Sequence, residues 1–237
     1  MIDHLYDTNK FQELEKKLSV SFSKKDLLLQ AFVHRSYLNE NPNLPMFHNE
    51  RLEFLGDAVL ELMITEYLYL AYPEKSEGEL TSWRAALVNT KMLSSVAREL
   101  GFNNYLLLSK GEQKEEGRAR EFMLANTFEA FIGSLYLDQG LQVCKDVVER
   151  FLIPNLAAII DQKLYRDAKS RLQELAQEKL GITPTYSVLK EWGPDHAKNF
   201  RMGAYLNKDL IAEGEGLSKQ ESEEEAAKKA LEIKGWE

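Results

Sequence analysis

One cysteine, Cys144, is the whole thiol inventory of the 237 residues. A lone thiol closes no disulfide and supplies no cysteine-based zinc site, so a reducing cytoplasm is the expected setting. Long apolar runs are also missing. The richest stretch, Tyr67 to Tyr72, falls far short of the roughly 20 residues that span a bilayer, and no membrane partner is expected. The first residues include Asp3, Asp7 and Glu13, unlike the basic and then apolar pattern of a signal peptide. Histidine is scarce. None of His4, His34, His48 and His196 has a glutamate three residues before it, which sets aside the Glu-x-x-His ligand pairs of a di-iron helical bundle. A basic excess is absent too. Residues 1–164 hold 18 basic and 24 acidic side chains, and residues 165–237 hold 12 and 14, for a net charge of −8. Composition therefore does not announce a nucleic-acid partner, and any phosphate contacts must come from local clusters.

The length suits two domains, and the apolar content of 44% is enough for two cores. Apolar residues recur at three- and four-residue spacing in Phe11–Leu18, Lys25–Phe32, Arg51–Tyr69, Leu80–Leu100, Phe122–Leu137 and Leu141–Ile153. Glycine and proline punctuate them. Residues 1–160 therefore read as an all-α helical domain and 161–167 as a linker. In 168–237 the pattern changes to a small α+β domain of order α-β-β-β-α. Its pieces are an amphipathic helix over Ser170–Leu180 closed by Gly181, strands at Thr185–Glu191, Asn199–Asn207 and Asp209–Glu213, and a helix over Ser218–Ile233. Asn207 and Lys208 suggest a two-residue hairpin, and Ser218 with Glu221 forms a capping-box pattern.

The segment from His48 to Glu61 carries the most chemistry. Asn49 is a candidate N-cap, and Glu50 suits a first helical turn. On a helical wheel Glu50, Glu53, Asp57 and Glu61 fall within roughly 80° of one another, while most other positions are apolar. A solvated polar face is the ordinary reading of a charged stripe. Against it, the stripe holds no lysine to relieve repulsion, and a helix apolar almost all round is expected to be central, where aligned carboxylates need a cation. Gly56 costs such a helix ~1 kcal/mol, so its place beside Asp57 suggests close approach of a neighbouring helix or ligand. Asn126 and Glu129, three residues apart, point their oxygens the same way, although a single helical glutamate is usually at the surface.

The string Asn49-Glu50-Arg51-Leu52-Glu53-Phe54-Leu55-Gly56-Asp57 resembles the signature of the ribonuclease III family. His34-Arg35-Ser36-Tyr37, Arg84-Ala85-Ala86-Leu87-Val88-Asn89, Lys110-Gly111-Glu112 and Ala125-Asn126-Thr127-Phe128-Glu129-Ala130 resemble the same family in the same order. Lys169–Glu174, Gly193-Pro194-Asp195-His196, Gly216–Lys219 and Ala226-Ala227 resemble a double-stranded-RNA-binding domain. The resemblance covers nearly the whole chain. It implies an endonuclease domain over 1–160 and an RNA-binding domain over 168–237, acting as a cytoplasmic homodimer in the processing of ribosomal, messenger and transfer RNA precursors. It also implies magnesium-dependent cleavage to 5′-phosphate and 3′-hydroxyl ends with short 3′ overhangs, with manganese able to substitute.

By the same resemblance Glu53, Asp57 and Glu129 match catalytic carboxylates. Glu53, Asn126 and Glu129 are then metal ligands, Asp57 orients or deprotonates water, and Glu129 is catalytic as well as a ligand. Glu50 and Glu77 match positions at the cleavage valley and dimer contact. All-oxygen donors are what magnesium prefers, and two hard cations can both activate water and relieve charge on phosphate. The family often has aspartate where this chain has Asn126; an amide oxygen can ligate magnesium but brings no charge. That departure keeps open a rival reading, a catalytically weakened RNA-binding regulator.

In the second domain the implied RNA contacts are Gln173 and Glu174 toward 2′-hydroxyls, His196 in a minor groove, and Ser218 with Lys219 at a helix N-terminus toward phosphate. Taken singly, His196 reads as a loop histidine and Lys219 as a surface lysine. Gln220 and Ser222 stand where relatives tend to have lysine and alanine, and the Glu221–Glu225 run is expected to repel RNA. Arg118 and Arg120, in a polar loop over Gly111–Glu121, are further candidates for phosphate contact.

Overall fold

Helix α7 (Gly117–Gln139) has apolar side chains at almost every phase of its central turns, and residues 130–135 are all buried there. A helix of that pattern can only sit inside a bundle. Around it in the computed structural model, which describes residues 8–161, 168–194 and 198–236, run eight other helices of the described chain. They are α1 (Thr8–Leu18), α2 (Lys25–Ala31), α3 (Arg35–Glu40), α4 (Glu50–Ala71), α5 (Glu77–Val88), α6 (Thr90–Glu99), α8 (Leu141–Phe151) and α9 (Asn155–Asp161). Phe32, Phe102, Phe128 and Phe131 are fully buried and pack ring against ring at the centre of this core.

The chain falls into two units, Met1–Tyr165 and Arg166–Glu237. Asp161 closes α9, and the rest of the expected linker, 162–167, lies outside the described residues. Two short helices, α3 and α9, lack the length for a periodic signal and were not expected. The single helix expected over Leu80–Leu100 is instead two. Asn89 breaks it with extended backbone, its side-chain oxygen accepting the Met92 amide at 2.9 Å while its Nδ2 donates to Ala86. Asparagine gains more as a cap than inside a helix, and the apolar spacing simply continues across the break.

The helix over residues 117–139 also starts earlier than expected, so the loop before it is short. A parallel bridge between Val33 and Leu107 ties the segment that leads into that loop to the connection between α2 and α3. Ser36 Oγ accepts the Ser109 amide at 3.1 Å, and Glu40 accepts the Lys110 amide.

The second unit runs α10 (Ala168–Leu180), β1 (Thr185–Trp192), β2 (Asn199–Leu206), β3 (Asp209–Gly216) and α11 (Lys219–Lys234). This is the expected α-β-β-β-α order, with an antiparallel sheet in the order β1-β2-β3. Leu206 pairs with Asp209, and Asn207 takes φ +56°, so the two-residue hairpin forms as the sequence indicates. β3 runs three residues past its expected end. Its Gly214 lets α11 lie directly on the sheet, since a Cβ there would sit 2.3 Å from backbone atoms of Ser222 and Ala226. Leu172, Leu175, Ala204, Ala212, Ala226, Ala227, Ala230 and Leu231 make the small core.

Candidate metal-binding cleft and nucleic-acid interface

Two glycines position the first site. A Cβ on Gly56 would lie 1.8 Å from the carbonyl oxygen of Glu129, and one on Gly133 would lie 2.2 Å from the carbonyl oxygen of Leu52. Helices α4 and α7 therefore touch backbone to backbone, closer than any side chain permits. Glu53 and Asp57 flank Gly56 in sequence, and Glu129 is itself the contact on α7, so the crossing gathers the acids of both helices.

Their electrostatics record the proximity. Burial, then Asp57, then Glu53 push the Glu129 carboxyl up to about 8. Burial, with Glu50 and Asp57, raises Glu53, and a side-chain hydrogen bond from Asn126 pulls it partly back. Asn126 thus joins the cluster as a hydrogen-bond partner of Glu53. Glu50, Glu53 and Asn126 line a cleft of about 240 Å³ together with His34, Glu112 and Phe122. Glu50 is shared with Arg35 at 3.6 Å and His48 at 3.8 Å.

The carboxylates sense one another without closing into a ready cage. Among the described residues, no three histidine, cysteine, aspartate or glutamate side chains converge as metal ligands. Mutual repulsion in a half-buried setting works against convergence until positive charge arrives. The donor set is oxygen throughout, and a glutamate held protonated up to about 8 marks a place short of cationic charge. These residues fit a hard divalent cation.

Not every expected residue joins. Glu61 is exposed and is not among the groups that shift Glu53 or Glu129. Glu77 opens α5 and lines a different pocket, of about 460 Å³, with Thr65, Tyr69, Lys75 and Arg84. Asn49 occupies the N-cap position of α4 without capping it. Buried, its Nδ2 donates to the Ala31 carbonyl at 3.2 Å and its backbone N–H to Val33 at 2.9 Å, tying α4 to the end of α2. A buried carbonyl left alone would cost more than an uncapped amide near solvent.

Nor is α4 enclosed all round: Phe54 is 82% exposed, and Leu62 and Tyr69 are also open. Arg120 is engaged within its own loop, donating to the carbonyls of Glu112, Gln113 and Glu115 at 3.0–3.1 Å. Arg118 lies over the Phe122 ring. Glu112, which sequence reasoning placed only within a motif, is the further acid of the cleft. It acts on His34, whose pKa burial lowers and Glu112 and Glu50 partly restore.

In the second unit Gln173 and Glu174 are exposed on α10, and His196 lies outside the described residues. Ser218 caps α11 by accepting the Glu221 amide at 3.2 Å. Glu221 reaches the amide of Leu217 at 3.0 Å, one residue earlier than a capping box requires. Lys219 is exposed, its Nζ 3.5 Å from Glu191 and 5.7 Å from the centre of the Phe200 ring.

The acidic run expected to repel RNA is largely occupied. Glu223 pairs with Lys169, Glu224 accepts the Ala168 amide at 2.6 Å, and Glu225 pairs with Lys229 at 3.3 Å. Ser222 is buried, its hydroxyl within 3.0 Å of the Phe200 carbonyl and 2.8 Å of the Ser218 carbonyl, where an alanine could make neither contact.

A helical unit that gathers carboxylates where two helices touch, joined to an α-β-β-β-α unit with a capped, lysine-led second helix, has the make-up of a nuclease domain with a double-stranded-RNA-binding module. The chain belongs to the ribonuclease III family: residues 24–156 match the Ribonuclease-III-like family model, and residues 168–234 match the Double-stranded RNA binding motif. It is 48% identical to Ribonuclease 3 of Geobacillus thermodenitrificans, over 94% of this chain and 90% of that protein. It is 44% identical to Ribonuclease 3 of Enterococcus faecalis, over 92% and 95%. The solved nuclease domain of ribonuclease III from Campylobacter jejuni is similar to the first unit, with a TM-score of 0.54 and 37% identity over 60% of this chain and 95% of that one.

Proposed function

We propose that this protein is a magnesium-dependent endoribonuclease that hydrolyses double-stranded RNA to 5′-phosphate and 3′-hydroxyl ends with short 3′ overhangs. The observation that carries the reading is the meeting of Glu53, Asp57, Asn126 and Glu129 at the α4–α7 crossing, in a family member that also has a double-stranded-RNA-binding module. Glu53, Asn126 and Glu129 would hold magnesium through their side-chain oxygens. When bound, the ion supplies positive charge against the phosphate and the departing oxygen, and manganese can replace it. The Asp57 carboxylate orients the attacking water and takes its proton. As the water oxygen bonds to phosphorus, the bond to the 3′ oxygen breaks, and that oxygen leaves as a hydroxyl by taking a proton from solvent water. To serve as ligand, Glu129 would give up its own proton, which would tie cleavage to pH.

The active form in this reading is a homodimer joined along α4, one site per protomer cutting one strand. The exposed Phe54, Leu62 and Tyr69 on that helix support it, and the Campylobacter jejuni nuclease domain has a region involved in dimer formation. Glu50 and Glu77 belong beside the cleavage valley and dimer contact. Gln173, Glu174, His196, Ser218 and Lys219 meet the RNA, with 1–160 and 168–237 as the two domains. No described helix is long and apolar enough to cross a membrane, and a cytoplasmic setting with precursor RNAs as substrates completes the reading.

One residue favours a second reading: the neutral Asn126 would suit a regulator that binds RNA and cuts poorly. A long, fully paired RNA incubated with and without magnesium separates the two. Magnesium-dependent cutting to short duplexes is expected, reduced about a hundredfold or more in Glu129→Ala. Binding without cutting at any magnesium or manganese concentration would establish the regulator instead.

A further inference from the structure

The lysine that opens α11 does not face solvent alone. Glu191 pairs across the sheet with Phe200, and the Lys219 ammonium stands over this pair, 3.5 Å from Glu191 Oε1 and 5.7 Å from the centre of the Phe200 ring. The other carboxylate oxygen, Oε2, is 3.4 Å from Lys198 Nζ. One carboxylate thus serves two ammonium groups from two directions. Its side chain keeps a third of its surface exposed, and the two lysines keep more, so all three are within reach of an arriving polyanion.

We propose that Glu191 is an affinity-setting residue of the RNA interface, a built-in competitor that occupies Lys198 and Lys219 until phosphate displaces it. The proposal rests on the reading of Lys219 as a phosphate contact. With Glu191 present, the group of three carries one net positive charge; without its charge, two. An exposed ion pair is weak enough for a nucleic-acid phosphate to break. The carboxylate must nevertheless be displaced from both ammonium groups before phosphate takes them, and that competition weakens binding. The same charge lowers the number of counterions that binding releases, which flattens the salt dependence. The glutamates of α11 do not compete in this way, because Glu223 and Glu225 are paired with Lys169 and Lys229 rather than with Lys198 or Lys219, and Glu224 is bonded to the Ala168 amide.

The test uses the full chain in a chelator, so that nothing is cut, with a paired RNA of about 20 base pairs, longer than the ~16 that one such module spans. Dissociation constants are measured across a salt series for wild type, Glu191→Gln, Lys219→Ala, and a Lys198→Ala/Lys219→Ala background with and without Glu191→Gln. Glu191→Gln is expected to tighten binding about two- to fivefold at moderate salt and to steepen the log–log salt slope by about one. The gain should vanish in the double-lysine background. Unchanged or weaker binding by Glu191→Gln, with Lys219→Ala still weakening it, overturns the competitor and leaves Lys219 on the RNA face. A gain that persists without the two lysines also overturns it, by showing a diffuse charge effect. If Lys219→Ala binds as wild type does, Lys219 is not an RNA contact, and the underlying reading fails with the proposal.

Discussion

The two units use the same side chain in opposite ways. In the helical unit, Glu53, Asp57 and Glu129 stand near one another with no cation among the groups that shift Glu53 or Glu129, and burial, then the neighbouring acids, hold the Glu129 proton up to about 8. In the second unit, acids stand close in sequence, yet Glu223, Glu224 and Glu225 each have a lysine or an amide. Acids gathered without a cation store repulsion that an incoming cation relieves. Acids with partners are structure. Local charge density does not tell the two apart; the partners, most of them distant in sequence, do.

The sharpest way to break the comparison is to spoil the crossing that creates the unpaired cluster. Gly56→Ala places a methyl 1.8 Å from the Glu129 carbonyl oxygen, a contact with backbone that no rotamer change relieves. The expected cost is about 3 kcal/mol or more, seen as a lower melting temperature together with lost cleavage. Gly78→Ala is the matched control, because nothing lies within 4 Å of the added atom and alanine favours a helix. A Gly56→Ala protein that melts and cuts as wild type does would mean that the helices can separate without consequence to the site.

The pH dependence comes next in size. A carboxyl raised from 4.5 to about 8 in the folded protein binds its proton more tightly folded than unfolded. Its stabilising contribution is therefore whole below pH 4.5 and is lost as the pH climbs through about 8. Melting curves taken in chelator should show wild type losing stability relative to Glu129→Gln across that window, with the difference levelling off above it. Magnesium should weaken the trend, since it takes the place of the proton. Parallel curves for the two proteins between pH 5 and 8 would show that Glu129 titrates normally.

Much of this was legible in the sequence, and what was not has a common cause. Glu53 and Asp57 share a face because they are four apart on one helix, and the hairpin at Asn207-Lys208 is set by two residues; both are local facts. Gly56 signalled a close approach, but its partner Gly133 lies 77 positions away on another helix, and no period links them. Asn126 and Glu129 read as a weak pair until α4 was seen lying against them. The resemblance supplied the roles that spacing could not. The partners of Glu223 and Glu224 in the acidic run, Lys169 and Ala168, are more than 50 residues earlier and leave no mark on the local sequence. Arg120 looked free for phosphate because hydrogen bonds to nearby carbonyls leave no mark on composition. The break at Asn89 was hidden by apolar spacing that runs straight through it.

The smallest effect tests the comparison most directly, by removing one negative charge from each kind of acid. Glu53→Gln takes a charge from the crowded cleft, where Glu50 and Asp57 both oppose it, and keeps a side chain able to meet Asn126. Glu223→Gln takes one from a glutamate paired with Lys169. Both side chains are partly exposed, so solvent screening holds each change within about 1 kcal/mol. The signs should differ. Without metal, Glu53→Gln is expected to raise the melting temperature while weakening cleavage, the usual exchange between stability and a strained functional site. Glu223→Gln is expected to lower it slightly and leave cleavage intact. If both substitutions shift stability the same way, the cleft acids are no more strained than those of α11, and the case for a site awaiting a cation loses its electrostatic support.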